Sequence, residues 1–226
     1  MEWNRSTLAR TIDHTLLKPD ARAEAIRTLC EEAVRHHFYS VCVHSGWVAY
    51  CREQLQGSDV RISAVCGFPH GANGSEVKAY EAAQSVKWGA AEIDMVLPIG
   101  MLLDHRFTEV EADIQQVVAA VEGQAVVKVI LETGYLNSEL VRAGCRLAEQ
   151  AGAGFVKTST GFGPGGATAE VVRLMRESVS SSMGVKASGG VRDAATAIAM
   201  LEAGATRIGT SSGIAIVSGL QGMEDY

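Results

Sequence analysis

The sequence predicts an α/β protein, a single (β/α)8 barrel of the TIM type, and three observations carry that expectation. Short β-branched runs alternate with longer stretches of helical periodicity, eight times along the chain, which is the pattern of parallel strands joined by crossover helices. The length of 226 residues suits such a barrel, which folds as one unit over roughly 250 residues. No linker or low-complexity break interrupts it, so residues 1–226 are expected to form a single domain.

Ile12-Asp13-His14 is the weakest strand candidate. Pro19 precedes a helix expected from Asp20 to about His36, with Ile26, Leu29 and Ala33 at helical spacing. Ser40 to His44 and Arg61 to Cys66 read as the second and third strands, joined by a helix from Gly46 to about Leu55. The loop from Gly67 to Gly74 is rich in turn residues and long enough to carry function. Asn73 or Ser75 is the expected cap of a helix running to about Trp88. Glu92 to Leu97 forms the fourth strand, which Pro98-Ile99-Gly100 ends, and a helix from about Thr108 to Val121 leads to the fifth strand, Val126 to Glu132. Asn137 or Ser138 opens the next helix and Gly152 closes it. The sixth strand occupies the stretch Gly154 to Gly161, followed by a glycine-rich loop and a helix from Thr168 to about Val179. Gly184 to Ala187 is the seventh strand, before a helix with Ala194, Ile198 and Leu201 on one face. Arg207 to Gly209 is the eighth, and residues 218–226 read as a mobile tail after a last short helix.

A hydrophobic content of 47% with 20% charged residues supplies a sizeable core. The net charge of -6 argues against nucleic acid as a partner, because a phosphate backbone needs a basic face. Five cysteines, odd in number and without zinc-type spacing, read as free thiols of a reducing cytosol. Six histidines form no metal-spaced pair, so no metal site is expected, and His36-His37 reads as helix surface. With no apolar leader and no run near the ~20 apolar residues that span a bilayer, the expected location is the cytoplasm, without a membrane partner.

Reaction sites of such barrels lie at the C-terminal ends of the strands. The fourth to seventh strands carry Asp94, Lys128, Lys157 and Lys186, the lysines 29 residues apart each time. Equal spacing places three amines in one cavity, where mutual repulsion is expected to lower the pKa of the most buried one toward neutrality, the form that attacks a carbonyl. The competing reading is a salt-bridge network around Asp94 that only fills the core. It accounts for any one lysine, and less well for four such residues on consecutive strands. Asp94 then serves as counter-ion or as a proton carrier through water. Ser188-Gly189-Gly190 and Gly209-Thr210-Ser211-Ser212-Gly213 lie where barrels bind phosphate, offering backbone N–H groups and hydroxyls. Cys42 reads as a buried thiol that can line the pocket, and Asp13 and Glu132 as either mouth residues or strand-end caps.

Six blocks, in order, carry a resemblance: Ile12-Asp13-His14-Thr15-Leu16-Leu17, Glu92-Ile93-Asp94-Met95-Val96, Lys128-Val129-Ile130-Leu131-Glu132-Thr133, Phe155-Val156-Lys157-Thr158-Ser159-Thr160-Gly161, Gly184-Val185-Lys186-Ala187-Ser188-Gly189-Gly190-Val191-Arg192 and Arg207-Ile208-Gly209-Thr210-Ser211-Ser212. Over essentially its whole length the chain resembles the deoxyribose-phosphate aldolases, a class I, Schiff-base-forming family. The resemblance implies that Lys157 forms the Schiff base, that Lys186 lowers its pKa and helps to move protons, and that Asp94 is the acidic proton carrier. It implies reversible cleavage of 2-deoxy-D-ribose 5-phosphate to glyceraldehyde 3-phosphate and acetaldehyde, without metal or organic cofactor, in a homodimer. The substrate-binding set is then Asp13, Thr15, Cys42, Lys128, Thr160, Gly161, Gly189, Gly190, Gly209, Ser211 and Ser212, with the terminal Tyr226 as a further proton relay on the tail. Phe162 stands where some relatives carry a basic residue, which predicts a weaker preference for phosphorylated substrates. A phosphosugar isomerase with a carboxylate base, or a non-catalytic phosphosugar-binding barrel, is the alternative. The isomerase needs no covalent lysine, and the binder could dispense with three.

Overall fold

Eight parallel strands close on themselves in chain order in the computed structural model, which describes residues 3–219. They are β1 (Ile12–Thr15), β2 (Ser40–Val43), β3 (Arg61–Cys66), β4 (Glu92–Val96), β5 (Val126–Ile130), β6 (Phe155–Lys157), β7 (Gly184–Ser188) and β8 (Arg207–Thr210). The surrounding helices are α1 (Arg5–Ala9), α2 (Ala23–His36), α3 (Val48–Gln54), α4 (Ser75–Trp88), α5 (Ile99–Leu103), α6 (Phe107–Ala120), α7 (Ser138–Gln150), α8 (Ala169–Ser178), α9 (Ala194–Glu202) and α10 (Gly213–Gly219). Tyr226 and the tail beyond residue 219 lie outside the described residues.

Alternation along each strand sorts side chains into two cores. Outward residues such as Val41, Ile93, Val129, Val156, Val185 and Ile208 are buried against the helices, as expected of strands covered by crossover helices. Many inward residues are polar: Asp13, Ser40, Ser63, Glu92, Asp94, Lys128, Lys186 and Arg207 are all buried and contact one another across the barrel. Barrels of this kind ordinarily fill that space with branched apolar side chains. Here ion pairs fill much of it, beside a small apolar cluster of Leu17, Cys42 and Val65.

Several boundaries differ from the sequence expectation, each for a local reason. β6 ends at Lys157 rather than running to Gly161: Thr158 N still donates to Lys186 O at 3.1 Å, but the next ladder bond, from Ser188 N, goes to the Thr158 hydroxyl at 3.0 Å, which itself donates to Ser188 O at 2.9 Å. β5 stops at Ile130, since Glu132 adopts left-handed backbone with φ 55° and cannot extend a strand. α4 is capped by Gly74, not by Asn73 or Ser75. Ser75 instead donates to Asp113 of α6 at 2.8 Å. The buried face of α9 is Ala194, Ala197, Met200 and Leu201, with Ile198 only half-buried. α1 and α5, unforeseen, span five residues each, too short for a periodic pattern to show. Asn137 caps α7 as expected, accepting from Leu140 N at 2.9 Å.

Candidate active site

Asp94, on the inward face of β4, is where the charges converge. Its Oδ1 accepts from Lys128 Nζ at 2.7 Å and from Ser63 Oγ at 3.0 Å, and its Oδ2 accepts from Lys157 Nζ at 2.9 Å and Lys186 Nζ at 2.7 Å. Cys42 Sγ lies 4.0 Å from the same Oδ2. Asp13 forms a second node, 2.5 Å from Lys186 Nζ, with Ser40 Oγ donating at 2.7 Å and Arg207 Nη1 at 2.9 Å. Glu92 forms a third, 2.7 Å from Lys128 Nζ and 3.1 Å from Arg207 Nη1. The Arg207 guanidinium stacks over the Tyr39 ring, 3.4 Å from its centroid.

The three lysines are not at one height. Lys157 pairs with Lys186 across β6 and β7, but Lys128 pairs with Phe155, and Ile130 pairs with Lys157. Lys128 therefore sits two residues nearer the N-terminal ends of the strands. The equal 29-residue spacing concealed this, because a closed barrel staggers neighbouring strands.

Electrostatics correct the expectation of mutual repulsion for two of the amines. Burial alone would lower the pKa of Lys186, but Asp13 and Asp94 beside it prevail and raise it. Burial also works against the charge on Lys128, and Asp94, Asp13 and Glu92 together still raise its pKa. The carboxyls answer in kind: burial would raise Asp94, but Lys128, Lys157 and Lys186 hold it well below the usual carboxylate range. Asp13 is likewise lowered against its burial by Lys186, Lys128 and Arg207. Burial pushes the Cys42 thiol up, so it stays an unreactive SH. Lys186 and Lys128 are thus ammonium groups with at least two close carboxylates each, whereas Lys157 meets Asp94 alone.

The remaining expected residues divide by depth. Lys128 and Asp13 are fully enclosed and act on the other charges rather than lining the mouth. Cys42 packs with Leu17, Val65 and Phe68. Thr15 is half-buried, its hydroxyl donating to Asp13 O at 2.9 Å. Gly209 belongs to β8, so the loop begins after Thr210. A Cβ on Gly209 would come 2.9 Å from Cε of Lys186, and the missing side chain makes room for that lysine. Ser211 and Ser212 follow at the mouth, with Ser212 N donating to Thr210 Oγ1 at 2.9 Å. Gly189 and Gly190 have φ 85° and 82°, a conformation that favours glycine. Ser159 Oγ, buried beside Gly189, has no hydrogen-bond partner among the described residues. Thr160 donates its N–H at 3.2 Å and its hydroxyl to the buried Glu132. Glu132, Thr160, Tyr135, Phe162 and Ile99 line part of a cavity of about 270 Å³ at the mouth. Gly161 and Arg192 are exposed.

Sequence reasoning assigned no role to Glu92 or Arg207. The available signal was parity: Glu92 shares the inward face of β4 with Asp94 two residues on, as Arg207 shares that of β8 with Gly209.

The sequence model of the DeoC/LacD family aldolases matches residues 7–219. The chain is 55% identical to deoxyribose-phosphate aldolase of Enterococcus faecalis over 95% of this chain and 98% of that one. It is 54% identical to deoxyribose-phosphate aldolase 1 of Bacillus licheniformis, over 97% and 98%. Among solved structures it is similar to the tetrameric deoxyribose phosphate aldolase of Aeropyrum pernix, with a TM-score of 0.91, 32% identity, and coverage of 97% of this chain and 93% of that one.

Proposed function

Because this chain belongs to the DeoC/LacD family of aldolases, we propose that it cleaves 2-deoxy-D-ribose 5-phosphate reversibly to D-glyceraldehyde 3-phosphate and acetaldehyde through a Schiff base on Lys157. One observation carries the choice of lysine. Of the three amines that share Asp94, only Lys157 lacks a second carboxylate, so it is the one least committed to holding the buried carboxylates as a counter-ion.

The free amine attacks C1 of the open sugar, and loss of water gives an iminium. The bond one carbon removed, C2–C3, then breaks, since its electron pair can flow into the iminium carbon as the C3 hydroxyl gives up its proton. Asp94, as carboxylate, and Lys186, as ammonium, are the adjoining groups that accept and return that proton through water. Glyceraldehyde 3-phosphate leaves first. Protonation of the enamine at C2 and hydrolysis release acetaldehyde and regenerate the amine. Gly189, Gly190, Ser211, Ser212 and the unpartnered Ser159 hydroxyl are the donors offered to the phosphate. In this reading the chain is one catalytic domain of the cytoplasm, acting in deoxyribonucleoside catabolism as a homodimer. Sedimentation velocity distinguishes two chains from the four of the Aeropyrum pernix protein.

Borohydride reduction in the presence of acetaldehyde is the test. It should leave an ethyl group on Lys157, found by peptide mass, and an unlabelled Lys157 with turnover intact would refute the assignment. An isomerase using a carboxylate base would not be trapped.

A further inference from the structure

With every amine protonated, the barrel interior holds four cations, Lys128, Lys157, Lys186 and Arg207, against three carboxylates, Asp13, Glu92 and Asp94. The excess is one positive charge. It vanishes when Lys157 is a free amine. A buried cluster with net charge is costly, so the composition of the whole cluster favours the nucleophilic form of one lysine, and the local pairing decides which. Two of the charges that enter this balance, Glu92 and Arg207, make no contact with Lys157. Glu92 lies two residues before Asp94 on β4, toward the N-terminal ends of the strands, and reaches Lys157 only through Lys128 and Asp94. Arg207 is bound to Glu92 and Asp13 and covered by Tyr39.

We propose that Glu92 and Arg207 are positioning residues for the aldol reaction, a pair beneath the site whose charges set the pH at which Lys157 becomes nucleophilic. The inference rests on Lys157 being the Schiff-base lysine. The titratable and charged groups of the interior network that ends at Lys157 are, strand by strand, Asp13 from β1, the Cys42 thiol from β2, Asp94 with Glu92 behind it from β4, Lys128 from β5, Lys186 from β7 and Arg207 from β8, of which Asp94 alone pairs with Lys157. β3 presents only the Ser63 hydroxyl. At the mouth Glu132 is engaged by Thr160. His14 pairs with Glu32 of α2, on the outer side of β1. None of these removes the asymmetry that loss of Glu92 or Arg207 would create.

The acid limb of the kcat/KM profile reports ionisation of the free enzyme, and it is the readout. Removing a negative charge by Glu92→Gln should move that limb to lower pH, and removing a positive charge by Arg207→Met should move it to higher pH, each by about one unit for a charge acting through the interior. Arg207→Lys should restore the limb, and the double variant Glu92→Gln/Arg207→Met should return it near the wild-type position. Damage to packing lowers activity but does not move the limb in opposite directions. Limbs that stay in place, or that move the same way in both single variants, overturn the proposal. Should Arg207→Met fail to fold, Glu92→Gln alone decides, because the amide keeps the shape of the carboxylate. Acetaldehyde labelling of wild-type Lys157 is measured alongside: a labelled lysine with immobile limbs defeats only this inference, whereas an unlabelled one defeats the function it rests on.

Discussion

Lys157 differs from Lys128 and Lys186 in its company, not in its burial, and that difference predicts how substitutions behave. Lys157→Met removes the amine but none of the deeper ion pairs, so the fold should persist while turnover falls by roughly a thousandfold or more, as for loss of a covalent nucleophile. Turnover and circular dichroism measured together check this, and residual activity near wild type would point to another lysine. Phe162 is a second residue with a readable consequence. The residue is 54% exposed and its ring meets Phe68 edge-on at 5.5 Å, so it adds apolar surface at the mouth and no charge. Phe162→Lys should raise the ratio of kcat/KM for 2-deoxyribose 5-phosphate over 2-deoxyribose by roughly tenfold, the scale of one charge-assisted hydrogen bond. An unchanged ratio would mean that the phosphate lies out of reach of this position.

At the scale of elements, the strand carrying Asp94 is secured from outside the barrel. Lys78 on α4 is fully buried; its Nζ donates to Val96 O at the end of β4 at 3.0 Å and to Asp113 Oδ2 on α6 at 2.8 Å. One ammonium thereby joins two helices to β4. Lys78→Met would leave the Asp113 carboxylate buried with only Ser75 as donor, and breaking such a pair costs about 3–5 kcal/mol. Urea unfolding should show that loss, whereas a change under 1 kcal/mol would mean that water replaces the ammonium. Little in the sequence marks Lys78, because it occupies a helix position where lysine is common, and its burial follows only from the packing of α4 on α6. The strands themselves were legible, since β-branched runs of four to six residues are a local property. Their ends were less so. β5 and β6 stop where backbone conformation at Glu132 and hydroxyl bonding at Thr158 intervene.

For the whole molecule, the inward charges predict a stability profile. Asp13 and Asp94 are lowered, so their contribution is present above the unfolded carboxylate value near ~3.9 and is lost as pH falls through their folded values. Lys128 and Lys186 are raised, so theirs is complete below the unfolded value near ~10.4 and is lost as pH rises through the folded values. The urea-midpoint difference between wild type and Lys186→Met should therefore stay level from about pH 5 to about pH 9.5, and shrink outside that window. A steady slope between pH 6 and pH 8 would mean that some other group governs the network.

The sequence by itself determined the repeating strand–helix order, the glycine-bearing turns and the presence of Asp94, Lys128, Lys157 and Lys186 near strand ends, all of which depend on residues close together in the chain. Tertiary structure decided the rest. Whether Lys128 stands level with Lys157 depends on the stagger of a closed barrel, and which carboxylates each amine meets depends on strands as distant as β1 and β8. Ionisation follows those distances, because charge interaction falls with separation and strengthens with burial. Even spacing along the chain suggested three equivalent amines; closure of the barrel made two of them counter-ions and left Lys157 with a single carboxylate.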